Sequence, residues 1–340
     1  MDRDIGVLIT GAGGAGTIEM IRSLRQLGRY RVIAVDASPY AAGLGLADRG
    51  YIIPAAVEPS FPGVLGRIIA EEEPHCIVPL VDEEIPVVYA MVGALPPPRP
   101  LVVAPASWFC RVALDKWATS GILGRAGIPT PRAWLASQAE RCSFPAVIKP
   151  RDGRGSRELA YLSGPDDLVS YLARASRGAE SYIVQKYVAG REYTVSVVVG
   201  LGGPTLAVVP KEVIVKRGIT HVGVTRVVPD IDRLCRQIQD RLQANGPFNV
   251  QHIIADDGTP TVIEINPRYS TTVALTIAAG INEVDVVIRH ALGEPIGPLA
   301  FQPNLMMVRY PTQMYVPESE WPPPTVTQWG VAVEQGAHQG

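Results

Sequence analysis

From Phe248 to Thr272 the chain reads Phe-Asn-Val-Gln-His-Ile-Ile-Ala-Asp-Asp-Gly-Thr-Pro-Thr-Val-Ile-Glu-Ile-Asn-Pro-Arg-Tyr-Ser-Thr-Thr, and no other stretch limits the fold as tightly. Val250 to Ala255 and Thr261 to Asn266 are short, apolar and β-branched, and Asp-Asp-Gly-Thr-Pro between them carries turn chemistry, so a β-hairpin is expected. Its second strand carries a charge in apolar surroundings. Glu264 and Asn266 are two apart and project from one face, where a carboxylate needs a cation or a donor to offset its desolvation. Pairing Ile254 with Thr261 would set Gln251 opposite Glu264 and gather three oxygen donors on one patch. Carboxylate and amide oxygens without Cys or ligand-spaced His favour a hard cation. Mg2+ with positions left for phosphate oxygens fits best, and Mn2+ shares the preference. Arg268 follows just past the strand end, where a guanidinium can meet a phosphoryl group bidentately. The simpler alternative is a strand end with a solvated Glu and an Asn-Pro turn.

A chain of 340 residues has room for two or three domains with their own cores. Its 47% hydrophobic content contains no apolar run long enough to span a bilayer. The acidic start, Met-Asp-Arg-Asp-Ile, runs directly into a strand, so neither a signal nor a transit peptide is expected. Cys76, Cys110, Cys142 and Cys235 lie far apart with no C-x-x-C, which argues against a disulfide framework or a zinc site and points to the cytoplasm. A net charge of −2 without a long Lys/Arg run offers no footprint for nucleic acid or an anionic membrane.

Ile5 to Thr10 reads as a buried parallel strand, followed by the turn Gly11-Ala-Gly13-Gly-Ala-Gly16 and an amphipathic segment to Leu27. A second strand, Arg31 to Asp36, ends in an acid. The G-x-G-x-x-G turn could cradle a pyrophosphate while Asp36 took a ribose hydroxyl, which would make the protein an NAD-dependent oxidoreductase; equally, the glycines could only permit a tight strand-to-helix turn. Asp82, Glu83 and Glu84 follow another strand end and read as the acidic start of a helix.

Asp115 and Lys116 open a capped helix that ends at Gly127. Phe144-Pro-Ala-Val-Ile-Lys149-Pro150 then places one lysine at the end of an apolar strand, ahead of the loop Arg151-Asp-Gly153-Arg-Gly155-Ser156-Arg157. Small residues let backbone N–H groups approach phosphate oxygens, and the lysine adds a fixed charge, although a hairpin turn with a solvated Lys fits as well. Tyr182 to Val188, including Gln185 and Lys186, is a strand leading through a short linker to a second that carries Glu192. Such a linker could offer backbone groups to a purine edge while Glu192 accepts from ribose hydroxyls. Lys211, Lys216 and Arg226 lie on strand patterns; Lys211 could reach phosphates and Arg226 an acyl substrate, while solvated edge cations are the plainer reading. His221 and His252 have no partner at ligand spacing and read as structural.

Taken in order, these pieces resemble the ATP-grasp carboxylate-amine ligases, most closely in pattern the ATP-grasp half of the carbamoyl-phosphate synthetase large subunit, from Ile5 to about residue 310. The most specific match is Asn249-Val-Gln251 with Val262-Ile-Glu264-Ile-Asn266-Pro-Arg268. The resemblance implies an open parallel βαβ domain over 1–112 that binds no dinucleotide. It further implies an ATP-grasp fold of a small lid subdomain over 113–188 and a large subdomain over 189–320; past these, Pro322-Pro323-Pro324 reads as the start of a flexible tail over 321–340. It implies that Gln251, Glu264 and Asn266 hold Mg2+, that Arg268 stabilises the transferring phosphoryl group, and that Lys116 and Lys149 bind phosphates. Gly153, Gly155 and Ser156 would belong to the lid loop, Gln185, Lys186 and Val188 to the adenine-contacting hinge, and Glu192 would accept from ribose. Gln185 stands where the family usually has Glu; it keeps a carbonyl acceptor for an exocyclic amine.

The expected activity is ATP-dependent coupling of a small-molecule carboxylate to an amine through an acyl phosphate, in a cytoplasmic protein that is a homodimer by default. An oxidoreductase built on Gly11 to Gly16 and a nucleotide-binding module without catalysis are the alternatives.

Overall fold

The computed structural model describes residues 5–153, 158–323 and 325–328. The chain divides into two compact units, Met1–Val102 with Thr312–Gly340, and Val103–Pro311. The first unit opens with β1 (Ile5–Thr10), α1 (Thr17–Gln26), β2 (Tyr30–Asp36), α2 (Ala42–Leu46), β3 (Arg49–Ile52), α3 (Phe61–Glu72), β4 (Cys76–Val78), α4 (Glu84–Ala94) and β5 (Leu101–Val102). The strands are parallel in the order β3-β2-β1-β4-β5. Val7, Leu8 and Ile9 are all fully buried, as a continuous apolar run covered on both faces requires. On one face Phe61, Leu65 and Ile68 of α3 pack against Ile33 and Val35 of β2.

The turn between β1 and α1 is closed by its own acid. Asp36 accepts from the Gly13 N–H through Oδ2 at 2.7 Å and from the Ser38 N–H through Oδ1 at 2.8 Å. The carboxylate required for a ribose is therefore held by the loop that should hold a pyrophosphate, which speaks against the dinucleotide alternative. Asp82 and Glu83 immediately precede α4 and Glu84 begins it, matching the helix-start reading of these acids.

The second unit comprises α5 (Ser107–Ala113), α6 (Lys116–Arg125), β6 (Ala133–Leu135), β7 (Ala146–Pro150), β8 (Ala160–Leu162), α7 (Pro165–Leu172), β9 (Tyr182–Lys186), β10 (Arg191–Val199), β11 (Thr205–Arg217), β12 (Ile219–Thr225), α8 (Pro229–Leu242), β13 (Phe248–Ile254), β14 (Pro260–Asn266), α9 (Val273–Ala278), α10 (Glu283–Ala291) and β15 (Met306–Val308). Its strands form two sheets, β6-β9-β7-β8 and β14-β13-β10-β11-β12-β15, the latter wholly antiparallel. Ile231, Leu234, Cys235, Ile238 and Leu242 form the apolar stripe of α8, packed on Val195, Val197, Val199 and Val250 of the larger sheet. The opposite face of that sheet carries buried polar side chains from β10 and β11, bonded to residues of α9, α10 and the loop before α9.

The unit begins ahead of α5 rather than at residue 113, because Phe109 of α5 packs on Phe248 of β13 with ring centroids 5.3 Å apart. Beyond Pro311 the chain returns to the first unit, where β16 (Val326–Gln328) pairs in parallel with β3. This part of the segment expected to be a flexible tail is thus a sheet strand. Among the described residues no helix is long and apolar enough to cross a membrane.

Candidate active site

The hairpin of β13 and β14 brings its donors together by a route that strict alternation does not give. At the tip Ile254 pairs with Pro260 and Ile253 with Thr261, one residue out of the expected register. The register then shifts at Ile263, and Gln251 faces Glu264 after all, with Asn249 facing Asn266. The apolar pattern explains the shift. Val262 and Ile265 are both in the core although they are three apart, so one extra residue must bulge out between them. The bulge reverses the phase of the strand and turns Glu264 and Asn266 to the face away from α8, the face that also carries Gln251.

Lys149 ends β7 and reaches this bulge. Its Nζ lies 3.3 Å from the Ile263 carbonyl and 3.9 Å from Glu264 Oε2, with only 9% of the side chain exposed. Burial lowers the pKa of the ammonium; Glu264 and Glu192 pull it up, and Lys116 and Lys216 push it further down. Those interactions place five charges from separate elements around one spot. A cavity opens beside it, bounded by Lys116, Gln185, Ile263, Glu264 and Ile265.

The start of α6 is tied to the loop that follows β7. Asp115 caps the helix, accepting from the N–H groups of Trp117 at 2.9 Å and Ala118 at 3.3 Å, and it pairs with Arg151 Nη2 at 2.5 Å. Lys116 Nζ donates to the Gly153 carbonyl at 2.8 Å, and its N–H to the Arg151 carbonyl at the same distance. Gly155 and Ser156, expected in the same loop, lie outside the described residues. Burial alone would raise the Asp115 carboxyl, but the bonds from Arg151, Ala118 and Trp117 outweigh it and hold the pKa below the ordinary value. A lowered folded-state pKa adds stability that is complete above the unfolded value and disappears as pH falls through the folded one. Asp115→Asn keeps a cap but loses the ion pair. It is expected to cost about 1 kcal/mol near neutral pH, and urea titrations should show this gap closing in acid.

Gln185 is buried in β9, between Val147 of β7 and Ala133 of β6. Lys186 ends the strand exposed, its N–H donating to the Arg132 carbonyl at 2.9 Å, and half-buried Val188 follows. Glu192, the second residue of β10, meets Lys216 Nζ at 2.5 Å. Lys216, read from sequence as a solvated edge cation, is the site residue that sequence reasoning missed. Its signal was faint: it shares β11 with Lys211, but only the sheet register brings it to Glu192. Arg268 leaves the end of β14 half-buried and donates to the Tyr269 carbonyl.

Lys211 is not presented to this site. It is 0% exposed and bonds Ser196 Oγ at 2.6 Å and Thr276 Oγ1 at 2.8 Å, with Glu283 Oε1 at 4.0 Å. Its side chain lies under α9 and α10, so a role on phosphates would need these contacts to break. Arg226 pairs with Glu212 at 2.8 Å. His252 is buried, its Nε2 3.4 Å from Cys235 Sγ; burial lowers its pKa to about 3 and raises that of the thiol, so this pair is inert. Among the described residues no three His, Cys, Asp or Glu side chains are grouped to hold a metal, so a cation at the bulge would rest on Glu264 and two amides.

A parallel α/β unit is thus followed by a unit of two antiparallel sheets in which lysines converge on a carboxylate strand. Residues 179–313 match the family described as ATP-grasp in the biosynthetic pathway with Ter operon, and residues 7–91 match the PylC-like N-terminal domain. The second unit is thus similar to ATP-grasp proteins over much of its length, and the first to the PylC-like N-terminal domain. It is 26% identical over 310 residues to the formate-dependent phosphoribosylglycinamide formyltransferase of Synechococcus sp. (strain RCC307), covering 85% of this chain and 76% of that one. In fold it is similar to N5-carboxyaminoimidazole ribonucleotide synthetase in an ADP complex, with a TM-score of 0.73 at 19% identity over 89% of this chain and 81% of that one. The biotin carboxylase domain dimer of Hydrogenobacter thermophilus 2-oxoglutarate carboxylase, bound to MgADP, ADP and bicarbonate, gives a TM-score of 0.70 at 17% identity over 88% and 73% of the two chains.

Proposed function

We propose that the second unit binds ATP at the β14 bulge and transfers its terminal phosphoryl group to a small carboxylate, and that an amine then displaces phosphate from the acyl phosphate. The observation that carries this reading is the convergence of Gln251, Glu264 and Lys149 at the bulge. Gln251, Glu264 and Asn266 offer an all-oxygen donor set suited to Mg2+, or Mn2+ in its place, and the similar biotin carboxylase domain was solved with MgADP. Bound there, the ion would supply charge neutralisation for phosphate oxygens.

The chain's own residues do the rest. Lys149 and Lys116 give up carbonyl partners to meet phosphates, and Arg268 draws charge from the phosphoryl group as the carboxylate attacks. Gln185, Lys186 and Val188 line the base, and Glu192 exchanges Lys216 for ribose hydroxyls. Gly153, Gly155 and Ser156 would close over the acyl phosphate and keep water out. No covalent nucleophile of the protein is required. A homodimer in the cytoplasm, acting on a small carboxylate and an amine, accompanies this reading.

Hydroxylamine offers a direct test, because it intercepts an acyl phosphate as a hydroxamate. Across a panel of carboxylates, ADP release and hydroxamate are expected together. Formation of AMP and pyrophosphate, or of ADP with no trapped hydroxamate, would overturn the proposal.

A further inference from the structure

Beyond Asn266 the chain leaves the sheet, yet three residues shortly after Arg268 are each tied down. Ser270 Oγ lies 2.8 Å from Thr272 Oγ1 and 3.4 Å from Thr194 Oγ1, and it accepts from the Thr272 N–H at 3.1 Å. Thr194 Oγ1, on β10, donates to Asn249 Oδ1 at 2.9 Å. The Thr271 carbonyl between them accepts from Arg309 Nη2 at 2.8 Å. All four side chains of the ladder are buried, from Thr272 at 0% to Ser270 at 6% exposed.

The protons of this ladder run one way. The Thr194 hydroxyl gives its only proton to Asn249, so Ser270 must donate to Thr194, and the Thr272 hydroxyl in turn to Ser270. The series ends on the amide of Asn249, the residue that pairs with Asn266 across the β13–β14 ladder. Arg268 is therefore held between two anchors, Asn266 in the sheet and Ser270 on the hydroxyl ladder, with only Pro267 and Tyr269 beside it. A cation that stabilises a transition state acts best when its loop is ordered beforehand, and a loop outside the sheet needs side-chain bonds for that order.

We propose that Thr194 and Ser270 are positioning residues that set Arg268 and Asn266 for phosphoryl transfer; this rests on the ATP-dependent reading above. Thr194→Val keeps the shape and removes the hydroxyl. It is expected to lower kcat by about tenfold to a hundredfold with little change in the KM for ATP, and Thr194→Ser, which keeps the hydroxyl, is expected to restore it. Ser270→Ala, cutting the ladder at its next link, should repeat the kcat loss. Unchanged kcat in both Thr194→Val and Ser270→Ala would overturn the inference, as would equal losses in Thr194→Val and Thr194→Ser. Arg268→Ala separates the two levels. If it abolishes turnover while the ladder variants do not, only the positioning role fails; if it turns over normally, the underlying reading of the site fails.

Discussion

Glu264→Gln is expected to reduce ADP-forming turnover by about 10²- to 10³-fold with the fold intact. The substitution is nearly isosteric and leaves Lys149 its bond to the Ile263 carbonyl. What disappears is the only carboxylate among the three donors on that face, and with it the negative charge that a divalent cation needs. The variant should melt cooperatively close to the parent, since the glutamate is partly exposed and its ion pair with Lys149 is long. Steady-state ADP release and a melting curve check both halves. A Gln variant that works within a few-fold of the parent would sink the assignment of Glu264.

The second large effect lies away from the chemistry. Lys211→Met is expected to destabilise the protein by about 3–5 kcal/mol, because Glu283, 2% exposed, would keep Ser196 as a donor but lose its cation. Adding Glu283→Gln to Lys211→Met should recover much of the loss, since a neutral amide no longer needs the ammonium. The same lysine shapes the alkaline limb of stability. Burial, partly opposed by Glu283, lowers its pKa from 10.5 to about 8. Between those values the unfolded chain binds more protons than the folded one, so this group makes stability rise with pH across that window. Urea titrations of parent and Lys211→Met on either side of the window should show the rise only in the parent. Equal midpoints at neutral pH would refute the role given to the pair.

Most of the architecture was legible because it rests on local rules. The apolar run of β1, the Asp115 cap and the β-branched strands of the hairpin each follow from residues a few positions apart. The site was legible as a set of residue types, and the pairing of Gln251 with Glu264 held although the tip register on which it was based did not. The hint of the bulge was in the run Val262-Ile-Glu264-Ile265, which cannot alternate cleanly. Lys211 and Lys216 resisted for a common reason: both sit on one long strand, and only the partners across the sheet decide that one is buried and the other meets Glu192. No local pattern carries that information.

The first sheet also sets an order of assembly. Residues 326–328, which add its outermost strand beside β3, leave the ribosome only after the whole stretch 103–311 has been made. Until then β3 presents an unpaired backbone edge, including the Gly50 N–H that finally donates to the Thr325 carbonyl at 2.9 Å. A nascent chain stalled before that point would therefore have β3 itself as the outermost strand, with the backbone groups of Gly50 to Ile52 unmatched on that side.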